Sequence, residues 1–256
     1  MRTNDPSERE AGLAGRLAGA APDGRAASPA GARRYAVKAL WRTVQGEGAH
    51  AGRPAVFVRL AGCNLWSGLD RDRARDAARH GNACALWCDT DFAPAGAVKL
   101  TAAALAAEAA AVGGAVRFCV LTGGEPLLQA DAALVQALHA RGFTVAVETN
   151  GTQRLADAFG DGPMPDWVVC SPKLPQAQTT IEACDELKLV VPDYRPDAYA
   201  GLAARVRRQP DGRRYLWLQP EDGPRLAEAT RLALDLCFRD PRWRVSVQTH
   251  KALGVD

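Results

Sequence analysis

No stretch of this chain stays apolar long enough to span a bilayer, so no membrane segment is expected. A charge of one sign is also missing. Over 256 residues the formal net charge is only +3, too mild to argue for a nucleic-acid surface. The seven cysteines are odd in number and mostly lie in apolar runs, unlike a secreted disulfide framework. There is no internal repeat, and no shift of composition that marks a second domain. What remains is a composition with 47% hydrophobic and 24% charged residues, long enough for one sizeable core. The expected setting is a reducing cytoplasm.

Residues 1–34 are rich in Ala, Gly, Arg and Pro and contain no aromatic residue. Such a segment buries too little apolar surface to order itself, and it lacks the apolar core of a secretory signal. It is expected to be a disordered extension, with a single folded domain over residues 35–256.

Three cysteines dominate what is present. They are set as Cys63-x20-Cys84-x3-Cys88, with Trp87 just before the last. Thiolates are soft ligands suited to iron–sulfur clusters, zinc or copper(I). Three of them with no fourth nearby point to a cluster that keeps one iron open. Two plainer readings stand beside it: a zinc knuckle completed by His80, or thiols that only pack in a core.

The rest of the chain sets the context for those thiols. Residues 35–43 and 55–60 read as strands, and the charged segment after Trp66 reads as an insertion, helical over Asp70–Arg79. A regular alternation follows. Helices are expected over 101–111 (with Thr101 as N-cap), 127–141, 198–206 and 224–237. Strands are expected over 117–121, 143–148, 167–170, 186–191, 215–218 and 243–247. Strands alternating with helices indicate a parallel α/β sheet. The polar, glycine-rich signals fall after the C-terminal ends of successive strands, the edge where such sheets and barrels build their sites.

One of those signals is TGGEP (122–126), between a strand and a helix. Paired glycines let backbone approach a ligand closely, and Glu125 is suited to hold an ammonium group. Clustered cysteines followed by a strand ending in GGEP resemble the radical S-adenosylmethionine superfamily. More narrowly, QGEG (45–48), RLAGCNLW (59–66), CDTDF (88–92), TGGEP, ETNG (148–151), SPK (171–173), ELK (186–188), QPEDG (219–223) and QTHK (248–251), in this order, resemble the 7-carboxy-7-deazaguanine synthases. The likeness covers about residues 35–256. CNLWSG, CDTDF and a terminal QTHK together are its most specific part.

The resemblance implies a partial, open (β/α) barrel of the radical SAM type, with mostly parallel strands. It implies magnesium-dependent ring contraction of 6-carboxy-5,6,7,8-tetrahydropterin to 7-carboxy-7-deazaguanine, with loss of ammonia, on the route to queuosine. The cofactors implied are a [4Fe–4S] cluster, S-adenosylmethionine (SAM) and Mg²⁺. Reductive cleavage of SAM would yield a 5′-deoxyadenosyl radical that takes a hydrogen from the pterin, SAM then being regenerated. The partners implied are the small-molecule pterin, an electron donor such as flavodoxin or ferredoxin, and a second copy of the chain.

Carried over by position, Cys63, Cys84 and Cys88 would bind the cluster, and Thr90 would bind Mg²⁺, a hard ion that prefers oxygen. Trp87, Cys88, Asp89, Gly124, Glu125, Ser171, Pro172, Lys173, Gln219, Pro220, Glu221 and Asp222 would border SAM. Val44, Gln45, Gly46, Glu47, Arg59, Thr122, His250 and the terminal Asp256 would contact the pterin. Arg59 would grip its carboxylate bidentately, which a lysine cannot copy. The family keeps two residues between its last two cysteines, so the x3 gap departs from its pattern. The x20 gap is a loop extension of little entropic cost. Another radical SAM enzyme, such as a glycyl-radical activase, and a non-catalytic zinc module using His80 are the alternative readings.

Overall fold

The chain is described here by a computed structural model covering residues 32–255. The extension expected over 1–34 lies almost wholly outside the described residues, and so does Asp256. Its last two residues depart from that expectation. Arg33 donates to the Gln129 carbonyl (2.9 Å) and pairs with Asp131 (3.3 Å), and Arg34 already belongs to the first strand.

Strands β1 (Arg34–Val44) and β2 (Pro54–Leu60) pair antiparallel, Trp41 standing opposite Phe57. The link between them is too short to hold a crossover helix, so they join as a hairpin at the start of the mostly parallel sheet. After β2 comes the inserted segment. A 3₁₀ turn at Asp70–Asp72 leads into α1 (Arg73–His80), close to the expected helix, and a single turn α2 (Cys84–Trp87) follows. Strand β3 (Val98–Thr101) returns to pair antiparallel with β1, and nothing in the alternation had marked it as a strand.

From there the chain alternates. Helix α3 (Ala102–Gly113) is capped by Thr101 Oγ1, which accepts from the Ala104 N–H at 3.3 Å. Then come β4 (Phe118–Gly123), α4 (Ala132–His139), β5 (Thr144–Thr149), α5 (Leu155–Phe159) and β6 (Trp167–Cys170). They are followed by β7 (Glu186–Val191), α6 (Ala200–Arg205), β8 (Tyr215–Pro220), α7 (Leu226–Arg239), β9 (Trp243–Val245) and α8 (Thr249–Leu253). Among the described residues the sheet order is β3-β1-β2-β4-β5-β6-β7-β8-β9, parallel from β2 onward.

Three boundaries moved for local reasons. The helix expected over 127–141 splits into a 3₁₀ turn (Pro126–Leu128) and α4. Asp131 leaves the helix to cap it, its carboxylate accepting from the Leu134 N–H (3.0 Å) and the Tyr35 hydroxyl (2.6 Å). The helix expected over 198–206 begins as a 3₁₀ turn at Pro196–Tyr199. The last strand stops at Val245, because the Ser246 hydroxyl turns to Gln219 (3.3 Å) and accepts from the Gly48 N–H (3.1 Å).

Alternation along each strand sorts the residues onto two faces. Cys119, Leu121, Val145, Val147, Leu187, Leu189, Leu216 and Leu218 face outward into the main core beneath the helices. The inner face is mixed. Phe118, Val120 and Ala146 pack with Ala55 toward its lower end, and polar side chains occupy the end where the parallel strands terminate. No helix among the described residues is long and apolar enough to cross a membrane.

Candidate active site

A cavity of about 590 Å³ opens at the C-terminal edge of the parallel strands. The loops after β1, β2, β4, β5, β6 and β8, together with the C-terminal segment, deliver their polar residues to it.

The cysteine loop is seated first. The Gly62 N–H donates to the Phe92 carbonyl (2.8 Å), closing the loop, and the Gly62 carbonyl accepts from the Glu125 N–H (3.0 Å). This stitches the two glycines of TGGEP onto the cysteine loop. A Cβ on Gly124 would lie 2.3 Å from the Gly62 oxygen and 2.6 Å from Cys63 Cβ, so only glycine fits there. Cys84 and Cys88 stand at the two ends of one helical turn, the Cys88 N–H donating to the Cys84 carbonyl at 2.8 Å. Residues four apart on a helix share a face, so the x3 gap still points both thiols the same way.

All three thiols line the cavity. Burial pushes the Cys63 thiol up to about 11, although the Leu65 and Trp66 N–H groups favour its thiolate, and burial pushes Cys84 up to about 12. Among the described residues no three of His, Cys, Asp and Glu converge as they would around a single metal ion, and His80 is not in the cavity wall. Three thiol side chains on one chamber are soft donors of the kind that hold iron–sulfur clusters or zinc.

Most of the residues that the resemblance assigned to SAM border the cavity. Trp87, Asp89, Gly124, Ser171, Lys173, Gln219, Pro220, Glu221 and Asp222 line the cavity. Lys173 Nζ donates to the Ser171 carbonyl (2.7 Å) and hydroxyl (2.6 Å), and burial lowers its pKa. Trp87 donates to Asp193 (2.8 Å), which also holds Arg225 (2.9 Å), and Arg225 in turn pairs with Glu221. That chain ties the cysteine turn to the loop after β8. Pro172 and Glu125 are not in the wall. Glu125 is fully buried behind it and accepts from the Leu127 N–H (2.9 Å), the Thr149 hydroxyl (2.8 Å) and the Asn150 N–H (2.7 Å). Burial pushes it up to about 7, against those three bonds. It therefore acts here as the knot between β4 and β5. Thr90 lines the cavity between Asp89 and Asp91.

On the opposite wall stand Val44, Gln45, Gly46, Glu47, Arg59, Thr122 and His250. The Arg59 guanidinium lies 4.9 Å over the Trp41 ring, which in turn stacks on Phe57 (5.3 Å). Gln45 donates to Glu148 (2.9 Å), whose other oxygen accepts from Thr122 (3.1 Å). Glu47 pairs with Lys188 and accepts from Gln219 (2.9 Å) and Gln248 (2.8 Å). Burial alone would raise the Glu47 carboxyl, but the ammonium and the hydrogen bonds hold it well below the usual carboxylate range. The C-terminal helix is laid across Gly46, the Thr249 N–H donating to its carbonyl (2.9 Å). A Cβ there would meet His250 Nδ1 at 1.8 Å.

The motif reading missed Lys188, Glu148, Lys38 and Lys251. Lys38 pairs with Asp91 (3.0 Å), and Lys251 pairs with Asp89 (3.3 Å) and Asp222. A signal was available for Lys188. Glu186 and Lys188 alternate with leucines in ELKLVV, a strand buried along its whole length, so a charge there must find a partner.

No family model matches the chain. It is 48% identical over 230 residues to the 7-carboxy-7-deazaguanine synthase of Bordetella pertussis, covering 86% of this chain and 99% of the relative. It is 47% identical over 232 residues to that of Bradyrhizobium diazoefficiens, with the same coverage of both chains. Among solved structures it resembles a crystal structure of QueE from Escherichia coli, with a TM-score of 0.59 and 26% identity over 84% of this chain and 94% of that one.

Proposed function

The chain belongs to the 7-carboxy-7-deazaguanine synthase family of radical SAM lyases, and we propose that it ring-contracts 6-carboxy-5,6,7,8-tetrahydropterin in the cavity just described. The observation that carries this reading is the meeting of residues from QGEG, the cysteine loop, TGGEP, SPK, QPEDG and QTHK around one chamber. These segments are up to about 200 residues apart in sequence, and the fold brings them to one strand edge.

Cys63, Cys84 and Cys88 would hold the [4Fe–4S] cluster through three of its irons. When bound, the cluster and SAM supply the reducing electron and the radical that starts the reaction. The chain's own residues do the rest. Trp87, Asp89, Gly124, Ser171, Lys173, Gln219, Pro220, Glu221 and Asp222 would enclose SAM, with Gly124 letting the TGGEP loop pack on the cysteine loop. Glu125 and Pro172 support that wall from behind. Thr90 offers Mg²⁺ a neutral oxygen beside two carboxylates.

Arg59, stiffened by Trp41, grips the pterin carboxylate in a bidentate fork. Val44, Gln45, Gly46 and Glu47 border the donor edge of the pterin, where an ionised Glu47 is the natural acceptor. Lys188 keeps Glu47 in that state. Thr122 and His250 complete the chamber, with Asp256 a further contact implied by the resemblance. A flavodoxin or ferredoxin would deliver the electron, and a homodimer is the working unit the resemblance implies.

The test is anaerobic reconstitution with iron and sulfide, followed by incubation with SAM, Mg²⁺, dithionite and the tetrahydropterin. The expected result is about four irons per chain and formation of 7-carboxy-7-deazaguanine, identified by absorbance and mass. A fully loaded cluster that cleaves SAM but leaves the pterin untouched would overturn the substrate assignment. About one zinc and no sulfide would overturn the cluster.

A further inference from the structure

The inserted segment between the first and second cysteines is built, not merely looped out. We propose that Arg73, on α1, is a positioning residue for the cluster: its guanidinium braces the one-turn helix that carries Cys84 and Cys88, and so makes the x20/x3 spacing serviceable. This rests on the cluster reading above.

An isolated helical turn is unstable, and its end carbonyls have no partner within it. Turn α2 has four residues, too few to hold two ligands rigidly by itself. Arg73 supplies what it lacks. One terminal nitrogen donates to the Ala85 carbonyl (2.8 Å) and the other to the carbonyl of Cys88 itself (3.0 Å). Its Nε donates to Asp70 (2.9 Å), so every guanidinium nitrogen is engaged. The same group lies 4.5 Å over the ring of Trp66, which meets Phe92 edge-on at 5.2 Å.

The other end of the turn is held from the same insertion. Asn82 Oδ1 accepts from the Ala85 N–H (3.0 Å), and its amide donates to the Leu65 carbonyl (3.1 Å). A planar fork reaching two carbonyls at once is something a lysine cannot reproduce. The guanidinium also brings a positive charge to the backbone of a ligand. Charge and hydrogen bonding around a cluster set its potential, and a cation favours the reduced state.

The experiment compares full-length wild type, Arg73→Met, Arg73→Lys and Arg79→Met, the last an exposed arginine of the same helix. Each is reconstituted anaerobically and challenged with an iron chelator, with bound iron followed by absorbance and fold by far-UV circular dichroism. Arg73→Met and Arg73→Lys are expected to release iron about tenfold faster or more, the usual scale for losing a supporting contact of a metal ligand. Arg79→Met should match wild type. An EPR redox titration should place the Arg73→Met midpoint more negative than wild type.

Wild-type iron retention in Arg73→Met overturns the proposal. Should that variant fail to fold, Arg73→Lys decides: wild-type retention there overturns the fork. A wild-type chain that takes up no iron and sulfide overturns the cluster reading, and this proposal with it.

Discussion

Replacing Lys188 with methionine isolates the electrostatics at the floor of the cavity. The shape of the side chain is nearly kept and only the ammonium is lost. Lys188 and Glu47 are both largely buried, with side chains 9% and 14% exposed. Breaking a buried pair by removing one partner costs about 3–5 kcal/mol, because the other charge is left without compensation. Glu47 keeps two amide donors, Gln219 and Gln248, which argues for the lower end, about 3 kcal/mol. For a domain of this size that is a loss of roughly 6–12 °C in Tm. Six tryptophans provide the fluorescence signal for thermal or urea unfolding.

The pH dependence is the sharper test. In the wild type the Glu47 pKa is lowered on folding, so its contribution is complete above its unfolded value of about 4.3 and is lost only as pH falls below that. In the variant only the two amide donors oppose burial, and the folded pKa is expected to be raised. Its cost is then largest at neutral pH and fades on acidification toward 4.3. The stability gap between the two proteins should therefore narrow from pH 7 to pH 5. Adding Glu47→Gln should recover most of the loss at pH 7, since the stranded charge is gone. An unchanged Tm at pH 7, or a gap that widens on acidification, would refute the reasoning.

Arg59→Lys should raise KM for the tetrahydropterin about 10–100-fold, the scale of losing about 1.5–3 kcal/mol of charge-assisted hydrogen bonding, while SAM affinity measured by calorimetry stays unchanged. An unchanged KM removes Arg59 from the carboxylate. Gly46→Ala should displace α8, because its Cβ would sit 1.8 Å from His250 Nδ1. Limited proteolysis should then cut the C-terminal segment faster, and turnover should fall roughly 100-fold, as for a misplaced positioning element. Glu125→Gln should cost about 1–3 kcal/mol, since an amide cannot accept at both ends where a carboxylate does. Burial raises Glu125 to about 7, so in the wild type this group makes stability fall as pH climbs from about 4.3 to 7, and the variant should lose that slope in urea titrations.

How far the sequence spoke depended on how local each cause was. Trp167–Cys170 and Glu186–Val191 were read to the residue, because each is a short apolar or alternating run bounded by turn residues. Strand β3 was not. VKLT carries no signal of its own, and pairs because the β1 edge would otherwise be left open. The break before α4 was also missed, although Asp131 is a locally favoured N-cap, which the Tyr35 hydroxyl, 96 residues away, further holds in place. Site residues followed the same rule. Glycine-rich motifs after strand ends announced the chamber, but the partners of Glu125 and Lys188 became legible only once folded.

The glutamate of TGGEP, expected at the SAM site, is buried behind the cavity wall and accepts from Leu127, Thr149 and Asn150. The lysine of ELK looked like one more residue of a strand and is the buried counter-charge of Glu47. The x3 gap between the cysteines shows the same dependence on partners from the other side. Read along the chain it is a defect in a ligand pattern. Folded into a helical turn it keeps both thiols on one face, and the carbonyls that turn leaves exposed are met by an arginine from the inserted helix. The long first gap and the altered second one are then a single adaptation, the first supplying the brace that the second requires.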